Sequence, residues 1–326
     1  MLKITKYLTM KIQYEILLVS LKAYQRFCLK LTTILLVIIY SSSPNYLLAQ
    51  KIADTNPDKK EVVKKPVKHT FENIMLINNQ TVETPKKNSL HFGIQHRFGR
   101  IDQGFKDGNN FDLFGLLGVA NVRIGLVYGI TNRLSIGLGA TKKNYVYDLR
   151  WKYKILQQTS SKGMPVTLSY FGNVAAATIK SDNYSSFSNR LSYFNQLTIA
   201  RKINKTLSLQ LSGTLSYFNL IDTLGGKDVK HINYGIGLGG RINVSPSGSV
   251  IFEFNQPLTI SDYGNDNKTK PGVGIGYEIA TRGHVFQLFV TNAINLVDQY
   301  NMVENTNDFF NGEIFIGFNI SRSWNF

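Results

Sequence analysis

From Leu90 to Phe326, apolar and polar residues alternate with period two in segments separated by turn residues. Along Tyr145 to Ile155, the residues Tyr145, Tyr147, Leu149, Trp151, Tyr153 and Ile155 fall on one side. Val146, Asp148, Arg150, Lys152 and Lys154 fall on the other. A helix would mix the two sets, whereas a strand separates them. Thr206 to Tyr217 divides as cleanly, with leucines against Ser, Gln and Thr. Twelve segments read this way: 90–98, 119–130, 133–141, 144–156, 165–178, 190–200, 206–218, 231–244, 249–257, 271–280, 284–292 and 312–326. Most are well beyond the five or six residues usual in soluble sheets. They match the roughly nine to eleven that a tilted strand needs to cross a bilayer.

The connections alternate in length. Thr131-Asn132, 157–164, 201–205, Ser245 to Gly248 and Thr281 to Gly283 are short. Their counterparts 99–118, 179–189, 219–230, 258–270 and 293–311 are long, and only the link around Lys142-Lys143 breaks the pattern. Short turns at one end and long loops at the other characterise outer-membrane barrels, whose short turns face the periplasm. Tyr145 and Tyr147 at one strand end, and Trp151 and Tyr153 at the other, fit two aromatic girdles. The expected fold is all-β: one up-and-down antiparallel transmembrane β-barrel of about twelve strands. An even strand number places both ends of the barrel in the periplasm.

Residues 1–49 read as a cleaved signal peptide. Lys22, Arg26 and Lys30 precede the ten-residue apolar run Leu31 to Tyr40, too short to span a bilayer. Cleavage is expected after Ala49, with Met10 an alternative start. Cys28 precedes the apolar run, so it does not mark a lipoprotein, and the mature chain has no cysteine. Of the 37 basic and 21 acidic residues, the leader takes six and one, leaving a net charge of +11. Residues 50–88 form a periplasmic extension. Its first part, 51–68, is a Lys-rich solvated linker rather than a nucleic-acid arm. Its second part carries an apolar patch, Ile74 to Ile77, expected to dock on the barrel or within it.

The last strand, GEIFIGFNISRSWNF, resembles the C-terminal assembly signal of bacterial outer-membrane β-barrels, with Trp324 and Phe326 as its aromatic end. That resemblance implies the outer membrane as location, its lipid and lipopolysaccharide as surroundings, and the barrel assembly machinery as a partner. Three further stretches are similar to an uncharacterised barrel family, a domain of unknown function. They are Thr70-Phe71 with Leu76-Ile77-Asn78, the strand His91 to Gly99, and Arg123 to Leu134. The resemblance implies fold and location and no activity.

Gly235 to Gly240 formally matches the dinucleotide pattern G-x-G-x-x-G, but the glycines alternate within one strand and no helix follows. Gly235, Gly237 and Gly239, with Gly272, Gly274, Gly276, Gly137 and Gly139, face inward instead. They open space, ease bending or admit another backbone, for which the N-terminal extension is the candidate. The five histidines lack metal-ligand spacing, and no cofactor is expected. His231 with Asp222 or Asp228 imitates a catalytic pair, yet lone polar residues at a barrel mouth are ordinarily structural, so the chain reads as non-enzymic.

The inward charges are Arg97, Arg123, Arg133, Arg150, Lys152, Lys154, Arg190 and Arg241 against Asp148, Glu253, Glu278 and Glu313. Of these, Arg97, Arg123, Arg150, Lys152, Arg241, Asp148, Glu253 and Glu278 are the lumen-lining set. One expectation is a narrow porin-like channel or binding barrel for small polar or anionic solutes. The alternative is a closed structural or interaction barrel, its internal charges paired and its loops 99–118 and 293–311 the contact surface. An outer-membrane enzyme is the third.

Overall fold

The computed structural model describes residues 65–101, 113, 115–160, 163–180, 182–226, 228–264 and 267–326. The expected signal peptide and most of the Lys-rich linker lie outside these. The strands are β1 (Ser89–Arg100), β2 (Asn121–Gly129), β3 (Leu134–Thr141), β4 (Val146–Leu156), β5 (Thr167–Ala177) and β6 (Leu191–Lys202). They continue as β7 (Leu207–Phe218), β8 (Ile232–Asn243), β9 (Gly248–Pro257), β10 (Gly272–Ala280), β11 (His284–Thr291) and β12 (Phe315–Asn325). Each pairs antiparallel with its chain neighbours, and β1 pairs with β12, closing the barrel. Closure follows from the solvent: hydrocarbon offers no partner to an unpaired strand edge.

Parity survives along every strand because the irregularities sit at strand ends. The register shifts between Arg97 and Arg100 on β1, and between Lys154 and Leu156 on β4. The outward face is apolar around the circumference, with Leu126, Leu138, Leu149, Leu211, Leu238 and Leu288 all exposed. Tyr128, Tyr153, Tyr277 and Phe286 ring the short-turn end, and Tyr147 and Tyr234 the long-loop end. Outward Asn195 is tied down by the Tyr170 hydroxyl, which donates to its Oδ1 at 2.6 Å. At the closing seam, Trp324 pairs with Leu90, and the Phe326 amide donates to the Asn88 carbonyl at 3.1 Å.

Two segments fill the barrel. From the short-turn end, the chain runs beside the β4–β5 turn, where the Val67 amide donates to Gln158 O at 2.8 Å. Residues 70–84 then turn inside the lumen as a small hairpin, here called the plug. The Leu76 amide donates to Asn79 O at 2.8 Å and the Thr81 amide to Ile74 O at 3.0 Å. The chain leaves toward β1 past the tight β2–β3 turn, where Lys87 N donates to Asn132 Oδ1 at 3.0 Å. From the other end, the β11–β12 loop folds inward and forms one short helix, α1 (Asp298–Val303), here called the lid. Phe71, Leu76, Ile77 and Val82 of the plug share a buried cluster with Ala200, Ile251 and Phe289. Val297, Tyr300, Met302 and Val303 of the lid pack on Val146, Ala175, Ala177 and Phe218, with Leu224 and Val229 of the β7–β8 loop.

Leu138, 64% exposed at the middle of β3, tests which solvent the outer face meets. Leu138→Arg should lower stability in lipid by about 2–4 kcal/mol, measured by denaturant titration of the barrel refolded into vesicles. A loss below about 0.5 kcal/mol, normal for a soluble surface, would place that face in water.

Candidate functional site

The eight lumen-lining residues all point inward, and none is more than 5% exposed. Inward parity does not extend past the strand ends, and this corrects three residues. Arg133 lies exposed in the β2–β3 turn. Arg190 sits at the loop end, half-buried, donating to the carbonyls of Ala177 and Ile179. Glu313 pairs at the rim with Arg100, at 3.1 Å.

The wall holds the plug through its backbone. Lys152 Nζ donates to the carbonyls of Ile74 at 2.7 Å and Thr81 at 2.9 Å, bridging both arms of the hairpin. Gln287 donates to Met75 O, and Asn319 to Leu76 O and Ile77 O. Gln196 and Gln210 both donate to Gln80 O at 3.1 Å. At the tip, Arg97 donates to Ile77 O and to Asn78 Oδ1, each at 2.9 Å, with its guanidinium 4.3 Å from the centre of the Phe289 ring. Glu253 accepts from the amides of Asn78 at 2.8 Å and Asn79 at 3.0 Å, and from Asn78 Nδ2 at 2.6 Å. Two converging amides make a cradle for an anion, and they meet the Glu253 carboxylate while Arg97 holds the other side of the same Asn78.

The inward glycines are partly explained by this filling. A Cβ on Gly239 would stand 2.6 Å from Leu76 Cδ1, and one on Gly274 would stand 2.9 Å from Ile77 Cδ1. On Gly235 it would meet Met302 Sδ of the lid at 2.6 Å. Gly139 has a different reason: the Arg123 guanidinium and the Asp148 carboxylate lie over it.

Charge is arranged in the same way. Among the described residues the strands bury Arg97, Arg123, Arg150, Lys152, Lys154 and Arg241 against Asp148, Glu253 and Glu278. Asp148 is shared by Arg123 and Arg150, each at 2.8 Å, and Glu278 accepts from Arg241 at 2.8 Å. The filling supplies the balance. Glu72 and Glu83 of the plug lie 3.6 Å from Arg241 and 3.4 Å from Lys154. Asp298 of the lid lies 3.6 Å from Arg150, and Glu304 lies 3.3 Å from Lys143. Asp298 also joins the two fillers, accepting from Gln80 Nε2 of the plug at 3.4 Å.

Gaps remain beside Asn79, Asp298 and Met302, and beside Gln80, Glu83 and Lys152. Each has room for about one water molecule. Plug and lid thus leave little room around these contacts.

The histidines are dispersed. His91 faces inward beside Ser323 Oγ at 3.0 Å, and His96 faces outward, stacked on Phe318. His231 Nδ1 lies 2.6 Å from Phe218 O, so that nitrogen carries the proton, while Asp228 pairs with Lys230. No group of three His, Cys, Asp or Glu able to hold a metal occurs among the described residues.

A closed barrel with an apolar exterior, aromatic girdles and a buried polar interior is a membrane-spanning barrel of the outer-membrane class. The chain belongs to the family described as Membrane bound beta barrel domain (DUF5777), which matches residues 71–324. The matched span thus includes the lid and all of the plug but Thr70. No curated protein matches the chain. Among solved structures, an outer membrane channel from Pseudomonas putida F1 is 12% identical, covering 74% of this chain and 98% of its own, with a TM-score of 0.45. The NanC porin is 8% identical, with 73% and 100% covered and a TM-score of 0.46. The Acinetobacter baumannii outer membrane protein Omp33 is 11% identical, with 74% and 100% covered and a TM-score of 0.38.

Two expectations follow. The chain has one cysteine, Cys28, so with Cys28→Ser in place Val82→Cys installs a single thiol on the fully buried face of the plug. Adding Gly239→Leu overpacks the seat of Leu76, a cost of about 1–3 kcal/mol. Thiol labelling should then speed up roughly five- to hundredfold, while equal rates in the two variants would show that Gly239 does not seat the plug.

The second concerns the lid. Burial raises the carboxyls of Asp298 and Glu304 above their usual range, against the pull of Arg150 and Arg123 on the first and Lys143 on the second. The seated lid therefore binds protons more tightly than the released one. Its stability is fully present below the ordinary carboxylate pKa and is lost as pH rises through the raised values. A Met302→Cys thiol should be labelled faster at neutral pH than under mild acid, after correction for thiolate fraction. The reverse order would assign these carboxyls lowered values.

Proposed function

We propose that this outer-membrane barrel is a gated pore, shut at rest by plug and lid, that passes small polar or anionic solutes once they withdraw. One observation carries the reading: the strands present six buried cations against three anions, and the segments that fill them bring Glu72, Glu83 and Asp298 to these cations. A barrel sealed for good would have no need to divide its charge balance between a wall and detachable segments. Withdrawal of plug and lid exposes the excess cations, which then favour anions in the path. The plug is tethered at the short-turn end, taken as periplasmic, so its release would be controlled from that side. No covalent step belongs to this reading, which is non-enzymic. The leader 1–49 would deliver the chain for export, and Trp324 and Phe326 would be read by the barrel assembly machinery in a membrane of lipid and lipopolysaccharide.

The closed interaction barrel is the second reading. The apolar cluster of Tyr300, Met302 and Val303 against Phe218 favours it, because such packing resists opening.

Planar-bilayer conductance separates the two. The mature chain should be silent. A chain lacking residues 50–88 and carrying Tyr300→Ala and Met302→Ala should conduct, with a reversal potential showing anion preference. Silence of that variant, once heat-modifiable gel mobility has shown it folded, would favour the permanently closed barrel.

A further inference from the structure

We infer that the lumen is a peptide-binding site. Its ligands are short peptides that present a tight turn with an amide side chain and carry an acidic residue on each flank. This rests on the gated-pore reading and names the class of solute that competes with the plug.

The contacts read a polypeptide backbone. The carbonyls of four consecutive residues, Ile74, Met75, Leu76 and Ile77, each receive a hydrogen bond from the wall, from Lys152, Gln287, Asn319 and, at Ile77, Arg97 as well. Donors matched to four successive carbonyls along a bent segment follow the path of a main chain and not of separate polar groups. Glu253 then takes the two adjacent amides at the turn, a pair that only a folded-back main chain offers in this arrangement. These bonds do not depend on side-chain identity, so the site accepts a range of sequences.

Selectivity comes from fewer points. Two positions before the amide must be apolar, because Leu76 and Ile77 enter spaces left by Gly239 and Gly274. The first amide residue is fixed by Arg97 and Glu253, and the second by Asn255, whose Oδ1 accepts from Asn79 Nδ2 at 2.7 Å. Arg241 and Lys154 select acids at the flanks, where Glu72 and Glu83 now sit. A hexuronic acid chain would satisfy the cations but has no paired amides for Glu253.

The test uses the full mature chain with Leu76→Asp and Ile77→Asp, which keeps the receptor intact and unseats the plug. A fluorescent peptide of residues 70–84 is added, together with a second keeping only Glu72, Leu76 to Asn79 and Glu83, all other positions being Ala or Ser. Both should bind by anisotropy. Asn78→Ala with Asn79→Ala in the peptide, or Glu253→Gln in the barrel, should weaken binding about tenfold or more. Direct binding of a labelled hexuronic acid disaccharide with neither peptide bound would overturn the inference, as would peptide binding indifferent to those substitutions. Conductance of the same variant tests the gate separately: a conducting variant that binds no peptide defeats only this inference, and a silent one that binds peptide defeats only the pore. Where the double variant does not fold, the Val82→Cys chain serves instead. Added peptide should speed its labelling by occupying the seat and keeping the plug out, and no change in rate counts against the site.

Discussion

Twelve strands enclose more space than their own inward side chains fill, while in the hydrocarbon outside an outward polar group is costly unless paired, as Asn195 is with Tyr170. Every inward Arg, Lys, Gln and Asn must therefore find its partner inside the wall. Arg97 shows what this demands. Its side chain is fully buried and bonds to Asn319, to the plug carbonyl of Ile77 and to Asn78, with Phe289 beneath the guanidinium. A buried cation stripped of such partners costs several kcal/mol. The plug is thus part of the solvation of the barrel interior, and only water or a solute of like chemistry could replace it.

The two fillers meet that demand by different physics. The plug answers polar side chains with its main chain, using a few apolar anchors. The lid answers a largely apolar mouth with Val297, Tyr300, Met302 and Val303, and spends its polar groups on fixed points such as Gln299 Nε2, which donates to Asn173 and Ser192. They touch at Asp298, which receives Gln80 from one side and Arg150 from the other. Arg150 in turn shares Asp148 with Arg123. Withdrawing the plug removes the bond of Gln80 to Asp298, so the segments are coupled through one carboxylate and not through a continuous core.

The barrel was legible because period two is imposed by the strand and by the lipid together. Leu138 faces hydrocarbon and its neighbour Gly137 faces in, and no soluble core blurs the contrast. The closing position of the plug was legible only in outline. Inward glycines signalled a close neighbour, and Ile74 to Ile77 an apolar patch, but which met which depends on the packing of distant strands. The lid was missed within the loop 293–311. Its signal was the spacing of Leu296, Val297, Tyr300 and Val303, an apolar helical stripe where a solvated loop should have none. Arg133, Arg190 and Glu313 were misplaced for a simple reason: parity has meaning only while the ladder lasts, and each lies beyond a strand end. Parity left open whether the inward charges line a water-filled path or pair among themselves, because a strand pattern shows which way a side chain points and not what stands opposite.

Closure also dictates how anything inside can be held. An open sheet could bind a peptide by adding it as a strand, backbone to backbone, but a closed barrel has no free edge to extend. What lies within must be gripped by side chains, and here the grip falls on the visitor's backbone. Such bonds are individually modest, each net worth about 0.5–1.5 kcal/mol. They are also ones that water re-forms on both partners when the plug departs. A strand added to a ladder would be hard to remove. On the gated reading, a hairpin held by Lys152, Gln196, Gln210, Gln287 and Asn319 would leave in steps, and the wall it left behind would be shaped for another chain.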